Sequence, residues 1–296
     1  MSQAAQRICR TVDEYATTSL ICYRPGMLAL FALAAASEWD FEESLAISWF
    51  GKGLRGTVSA EDRFHLYDKP GDQLFGETFV APGAYLELTP AYVRVGPRVH
   101  FKPIAVFELS VEALWSGYFG TFSGVTDFAH PDDDYSEEVM DNDKAVIARA
   151  RPGQGWRFAA SPTLQARAGK VIIALPSDFY YMRMTPPDGA TGAYWYEPQF
   201  DAMLGFEDVV MINSGVVFWS FKDKDADDSR FTWVGAQYTH QYVFGTEDRQ
   251  QKVGPMIVIK PAKPKWVPTI AAFAQAWVQA PTREILPPYI AAALIW

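Results

Sequence analysis

The stretch WRFAASPTLQARA, Trp156 to Ala168, alternates without a break. Trp156, Phe158, Ala160, Pro162, Leu164, Ala166 and Ala168 fall on one phase, and Arg157, Ala159, Ser161, Thr163, Gln165 and Arg167 on the other. A period of two puts successive side chains on opposite faces of an extended strand, here one apolar and one polar. The run is 13 residues long, where a strand of a globular protein usually has about five or six. Two further segments read the same way. Tyr194, Tyr196, Pro198, Phe200, Ala202, Leu204 and Phe206 alternate with Trp195, Glu197, Gln199, Asp201 and Met203; Val99, Phe101, Pro103, Ala105, Phe107, Leu109 and Val111 alternate with His100, Lys102, Glu108, Ser110 and Glu112. Strands this long suit a membrane-spanning barrel better than a small sandwich.

Composition agrees with interleaving. The 296-residue chain is 49% hydrophobic, 15% aromatic and 21% charged, yet its mean hydropathy is near zero. A net charge of −9 lacks the clustered basic surface that nucleic-acid binding requires. Both cysteines, Cys9 and Cys22, lie near the N-terminus, so the body carries no disulfide framework. In the same region Arg24 precedes MLALFALAAAS, an apolar run with Ala34 and Ala36 in an A-x-A pattern and Ser37 as the first mature residue. This predicts an export signal within residues 1–37, with Met27 or another upstream start as the initiator, and a single barrel domain over 38–296.

Ten strands are expected, beginning near Leu45, Phe79, Arg98, Gly155, Val171, Ala193, Val209, Phe231, Lys252 and Leu286. Twelve is the other count the pattern allows, because Lys252 to Gln279 is too long for one strand and Pro261, Pro264 and Pro268 interrupt it. Tight turns are predicted at Gly96-Pro97, Ala168-Gly169-Lys170 and Phe206-Glu207-Asp208. Longer polar links over about 59–77, 116–153, 185–192 and 222–229 would alternate with them. Pro90, Pro103, Pro162, Pro176 and Pro198 fall inside expected strands, where each removes a ladder hydrogen bond and implies a bulge or an edge.

The last residues, LPPYIAAALIW (286–296), are strongly apolar and carry no charged side chain. As a helix they would span only about 16 Å, half a bilayer core, whereas as a strand they have the length of a tilted membrane-spanning segment. They are expected to close the barrel by pairing with the first strand near Leu45, leaving no unpaired edge in lipid.

With the long aromatic strands, the turn pattern, the cysteine-free body and the terminal Trp296, the chain resembles bacterial outer-membrane β-barrel proteins. The resemblance implies an all-β, antiparallel up-and-down transmembrane barrel located in the outer membrane and bathed in its lipid. It also implies a C-terminal strand, with Trp296, Leu294, Ala292 and Ile290 on one face, that the barrel assembly machinery reads. It carries over no functional residue. The polar phases would then point inward, bringing His100, Lys102, Glu108, Glu112, Arg157, Gln165, Arg167, Glu197, Gln199, Asp201, Gln237 and Gln241 into the lumen. A barrel this narrow is a narrow channel or a filled structural barrel, not a wide porin.

Candidate chemistry is sparse, and no catalytic residue, cofactor or metal site is assigned. Gly51, Gly53 and Gly56 form G-x-G-x-x-G, but no helical stripe follows, so these glycines read as strand residues. Asp223, Asp225 and Asp227 imitate a calcium loop without its glycine at six (Asp228) or glutamate at twelve (Val234). HPDDDYSEEVMDND, with His130, Asp132, Asp133, Asp134, Glu137, Glu138, Asp141 and Asp143, reads as a solvated acidic loop. His65 and His130 are placed in loops and His100 and His240 in strands, His240 sharing the phase of Tyr238 and Tyr242. Two rivals stay open: an outer-membrane hydrolase with catalytic residues at the rim, and an exported soluble barrel binding an apolar ligand. Phase separates the second from the leading reading, since a soluble barrel turns its apolar residues inward.

Overall fold

The computed structural model describes residues 38–49, 53–67, 74–75, 78–121, 124–221, 231–260, 267–280 and 288–296. The expected export signal, Gly51 and the acidic segment Asp223–Ser229 lie outside them. Twelve antiparallel strands close into one barrel in which each pairs with the next along the chain. They are β1 (Glu38–Trp49), β2 (Gly53–His65), β3 (Phe79–Leu88), β4 (Tyr92–Ile104), β5 (Phe107–Phe119), β7 (Pro152–Ala168), β8 (Val171–Thr185), β11 (Glu207–Ser220), β12 (Phe231–Val243), β13 (Arg249–Lys260), β14 (Thr269–Gln279) and β15 (Tyr289–Ile295). Three short strands, β6 (Asp127–Phe128), β9 (Tyr194–Glu197) and β10 (Ala202–Gly205), form a separate sheet in the order β10-β9-β6. Two short helices, α1 (Glu137–Asn142) and α2 (Lys144–Ile147), follow β6. Closure is the one expected from the terminal segment: Leu45 pairs with Leu294 and Trp49 with Ile290, and the Trp296 N–H donates to the Glu43 carbonyl at 3.0 Å.

Twelve strands, not ten, carry the barrel. The run Val99–Val111 is two strands: β4 turns at Ala105-Val106 into β5, and a register shift between Phe101 and Ile104 keeps the parity of the alternation across the turn. A phase-preserving hairpin is indistinguishable from one long strand by period alone. Gly96-Pro97 is therefore interior to β4, not a turn. The segment from Ser59 is still strand as far as His65, and β1 starts at Glu38, ahead of Leu45. The 252–279 segment splits into β13 and β14.

The Tyr194–Phe206 alternation is not a barrel strand at all. It folds into the β9–β10 hairpin, with Pro198 in its turn and Asp201 at a φ of 51°. Nor do short and long links strictly succeed one another. The two longest connections, 120–151 and 186–206, share the end opposite the start of β1 and the end of β15 with the tight turn at 89–91, while 105–106, 169–170 and the longer 66–78 lie at the other end.

The prolines find places that leave the ladder intact elsewhere. Pro90 sits in the β3–β4 turn and Pro103 at the register shift. Pro162 lies within, and Pro176 borders, the same two-residue gap in the β7–β8 pairing, between Ala160↔Phe179 and Thr163↔Pro176.

Phase is decided by burial. On β7 Trp156, Phe158 and Leu164 are exposed, while Arg157, Ala159, Ser161 and Thr163 are buried. The same holds on β4, where Val95 and Val99 face out and Arg94, Arg98 and His100 face in. The barrel is apolar outside and polar along much of its inside, the inverse of a water-soluble barrel.

Candidate functional site: the barrel interior

The inward phase of β2 to β5 and β7 builds a continuous ladder of charges. Glu87 on β3 is reached by the guanidinium groups of Arg94 and Arg157, each at 3.5 Å, and of Arg55 at 3.9 Å, and accepts the Tyr92 hydroxyl at 2.7 Å. Arg157 continues to Glu112 at 3.2 Å, and Arg98 lies 3.7 Å from Glu112 and 3.5 Å from Glu61. His100 ends this chain, with Nδ1 3.5 Å from Glu61, Nε2 2.7 Å from Glu108, and the edge of Phe79 against its ring. Alternation explains the assembly: neighbouring strands present every second residue to the lumen, so one polar phase per strand becomes a two-dimensional lattice of partners. Five bases (Arg55, Arg94, Arg98, Lys102, Arg157) and five acids (Glu61, Glu87, Glu108, Glu112, Glu197) are all buried here. Asp178 on the adjacent strand β8 and His100 are buried as well, so the inward face carries both signs of charge.

The opposite wall is apolar. Phe218, Trp233, Met256, Val258 and Phe273 pack with small residues of β1, β8 and β15 into a buried cluster toward the end that holds the start of β1 and the end of β15. Above the ladder, at the other end, the β9–β10 hairpin enters the lumen. Its Glu197 receives the Arg94 guanidinium at 2.9 Å and the Tyr118 hydroxyl, and Gln199 receives Arg157 at 2.8 Å and also Arg94. Gln241 and Gln250 donate to the carbonyls of Phe200 and Asp201 at 2.9 and 2.8 Å, Phe200 lies against Tyr180, and Trp195 stacks edge-on to Tyr118.

Of the twelve residues expected in the lumen, His100, Lys102, Glu108, Glu112, Arg157, Gln165, Gln237 and Gln241 line it on barrel strands. Glu197, Gln199 and Asp201 arrive on the hairpin instead. Arg167 is exposed beside the β7–β8 turn, its Nε donating to the Gly169 carbonyl at 3.1 Å. Arg55, Glu61, Glu87, Arg94 and Arg98 were not among the twelve. For Arg55 and Glu61 a signal is present, since Arg55, Thr57, Ser59 and Glu61 alternate with Leu54, Gly56, Val58 and Ala60, but the short glycine-containing run hides it.

The acidic loop is organised by its own backbone. Asp133 accepts the N–H groups of Ala129 and His130, each at 3.0 Å, Asp134 accepts that of Ser136 at 2.8 Å, and Asp143 caps α2. Among the described residues no three His, Cys, Asp or Glu side chains are grouped to hold a metal ion. His65 and His130 are exposed, His100 is enclosed by the ladder, and His240 faces outward with Tyr238 and Tyr242.

Asp127 ties the two long connections together. Its Oδ2 accepts the backbone N–H groups of Thr191 and Gly192, each at 2.9 Å. Burial alone would raise this carboxyl, but those two donors, helped by Arg149, hold it below the ordinary aspartate value of 3.8. A depressed folded value means that the tie is at full strength above pH 3.8 and is lost as the pH falls through the lower folded value. Hydrogen exchange, corrected for intrinsic rates, should show the Thr191 and Gly192 amides losing protection below pH 3.8. Asp127→Ala should already show the unprotected level at neutral pH.

No family model matches the chain, and no curated protein matches it. Among solved structures it is similar to the β domain of the Bordetella autotransporter Brka, with 8% identity and a TM-score of 0.49 over 88% of this chain and 99% of that one. It is also similar to OmpT, an outer membrane protein of Vibrio cholerae, with 9% identity and a TM-score of 0.32 over 88% of this chain and 100% of that one.

Proposed function

We propose that the protein is an integral outer-membrane barrel whose lumen is sealed by its own side chains, acting as a structural or surface-exposed element and not as an open channel. The observation that carries this is burial of the lining itself: Glu87, Arg94, His100, Lys102 and Arg157 are each 0% exposed. A water-filled lumen leaves its lining wet, as in wide porins. The apolar outward phase, with Trp115, Trp156 and Trp219 exposed upon it, supports a lipid surround with interfacial aromatics. By the usual orientation of such barrels, the end bearing residues 120–151 and 186–206 faces the cell exterior. The closing strand β15 and Trp296 are then the segment offered to the assembly machinery.

Fractionation with heat-modifiability on SDS gels tests the membrane reading. Recovery in the soluble periplasmic fraction, with no folded form that shifts on boiling, would sink it. Reconstituted in planar bilayers, the protein should show no steady conductance at any salt concentration. A persistent open state would replace the sealed barrel by a narrow channel.

A further inference from the structure

Among the described residues, the outward face of β8 to β14 carries a polar row. Ser177 on β8 is the register partner of Asn213 on β11, and Asn213 is the partner of His240 on β12. The row continues to Gln251 and Gln279, which hydrogen-bond each other at 3.0 Å. All of these lie on the outward phase, where Val217, Trp219, Val234 and Tyr238 are their exposed neighbours. Ser177, Asn213 and His240 make no side-chain hydrogen bond to any described residue.

Depth makes Asn213 the costly member. It lies six residues from Glu207 and six from Trp219 on β11, about 20 Å along the strand each way. At a tilt of about 40° that is about 15 Å along the barrel axis, so in a belt about 25 Å tall Asn213 sits close to the middle. Met211 and Val209 on one side, and Gly215 and Val217 on the other, separate it from both interfaces. A lipid headgroup does not reach that depth, and hydrocarbon offers no partner for an amide. The flanking Ser177 and His240 side chains make no hydrogen bond to it in the structure, and a second protein surface would supply one. Nor is the row a nucleophile relay, because Asn213 stands between Ser177 and His240 and keeps the imidazole from the hydroxyl.

Resting on the membrane reading above, the geometry points to a homodimer in the bilayer, with this row as a two-fold interface centred on Asn213. A carboxamide carries both donors and an acceptor, so across a two-fold axis it pairs with its own copy. Gly215 lowers the surface immediately beside it: a Cβ there would touch only Leu175 Cδ2, at an ordinary 3.7 Å. Close approach with exchanged hydrogen bonds is how membrane segments associate without a hydrophobic drive.

The test uses the full chain with C9S and C22S and one new cysteine, reconstituted in phospholipid vesicles. Gly215→Cys should crosslink with a short bismaleimide to twice the chain mass. Val58→Cys, six strands away around the barrel, should not. Asn213→Val added to Gly215→Cys should weaken dimerisation about tenfold, the effect of losing two membrane hydrogen bonds of average strength. If Gly215→Cys crosslinks no better than Val58→Cys while the barrel is membrane-bound and heat-modifiable, or if Asn213→Val leaves crosslinking unchanged, the interface is refuted. A vesicle-free protein with no heat-modifiable form overturns the membrane reading and this inference together.

Discussion

Arg94→Ala is expected to cost about 3–5 kcal/mol of barrel stability, because it leaves the buried Glu197 carboxylate without its cation. The Arg94 side chain is 0% exposed and serves two acids at once, Glu197 at 2.9 Å and Glu87 at 3.5 Å. It also donates to Ser116 at 3.2 Å and to the Tyr118 hydroxyl at 2.8 Å, and its guanidinium lies 3.9 Å from the centre of the Tyr92 ring. In a sealed lumen the desolvation penalty of the Glu197 carboxylate is then felt in full, while Glu87 keeps Arg157 and Arg55. The rim pair Arg63–Asp40 is the internal control. It is shorter, at 2.8 Å, but its side chains are 20% and 43% exposed, so Arg63→Ala should cost about 1 kcal/mol or less. Denaturant unfolding of the refolded barrel, followed by tryptophan fluorescence, measures both. Equal effects at the two sites would mean that the lumen is wet, and would count against the sealed barrel. Glu197→Gln should recover part of the loss in an Arg94→Ala background, because Glu197 is the acid left without a cation while Glu87 keeps Arg157 and Arg55.

How much of this was legible in the sequence follows from what a period of two can report. It reports phase and therefore lattice: alternation alone sets His100, Lys102, Glu108, Glu112 and Arg157 on the inward face. It does not report strand ends. Ala105 and Val106 continue the alternation through a turn, so β4 and β5 merged into one. It is also blind to where an extended segment goes. The phases of Tyr194 to Phe206 look like those of a wall strand, yet Trp195, Tyr196 and Glu197 are all buried in succession, because barrel residues cover one face of the hairpin and the 120–151 connection covers the other. Such a segment shows up only through its partners, Arg94, Tyr118 and Gln241, which lie more than forty residues away in sequence. The outward row of Ser177, Asn213 and His240 escaped for the same reason: three isolated polar residues on three strands become a feature only when register sets them side by side.

Val99→Arg is expected to destabilise the protein by about 2–4 kcal/mol in a lipid bilayer, the cost of a cation at the middle of the outward face of a barrel. Val99 lies midway along β4 and is 41% exposed, with Val95, Pro97, Phe101 and Pro103 as its outward neighbours. Its neighbour Arg98 carries the same charge at the same depth and is tolerated, because it points inward to Glu61, Glu112 and the Ser110 hydroxyl. One residue of displacement thus separates a stabilised arginine from a penalised one, and the sign of the penalty depends on what surrounds the barrel. In water an outward arginine replacing an exposed valine would be neutral or would improve solubility. Unfolding titrations in phospholipid vesicles should therefore show the loss, and the loss should shrink for the same substitution near a rim, as at Phe41 or Leu88, where the side chain reaches the interface. A Val99→Arg variant as stable as the parent at mid-depth would mean that the apolar face does not meet hydrocarbon.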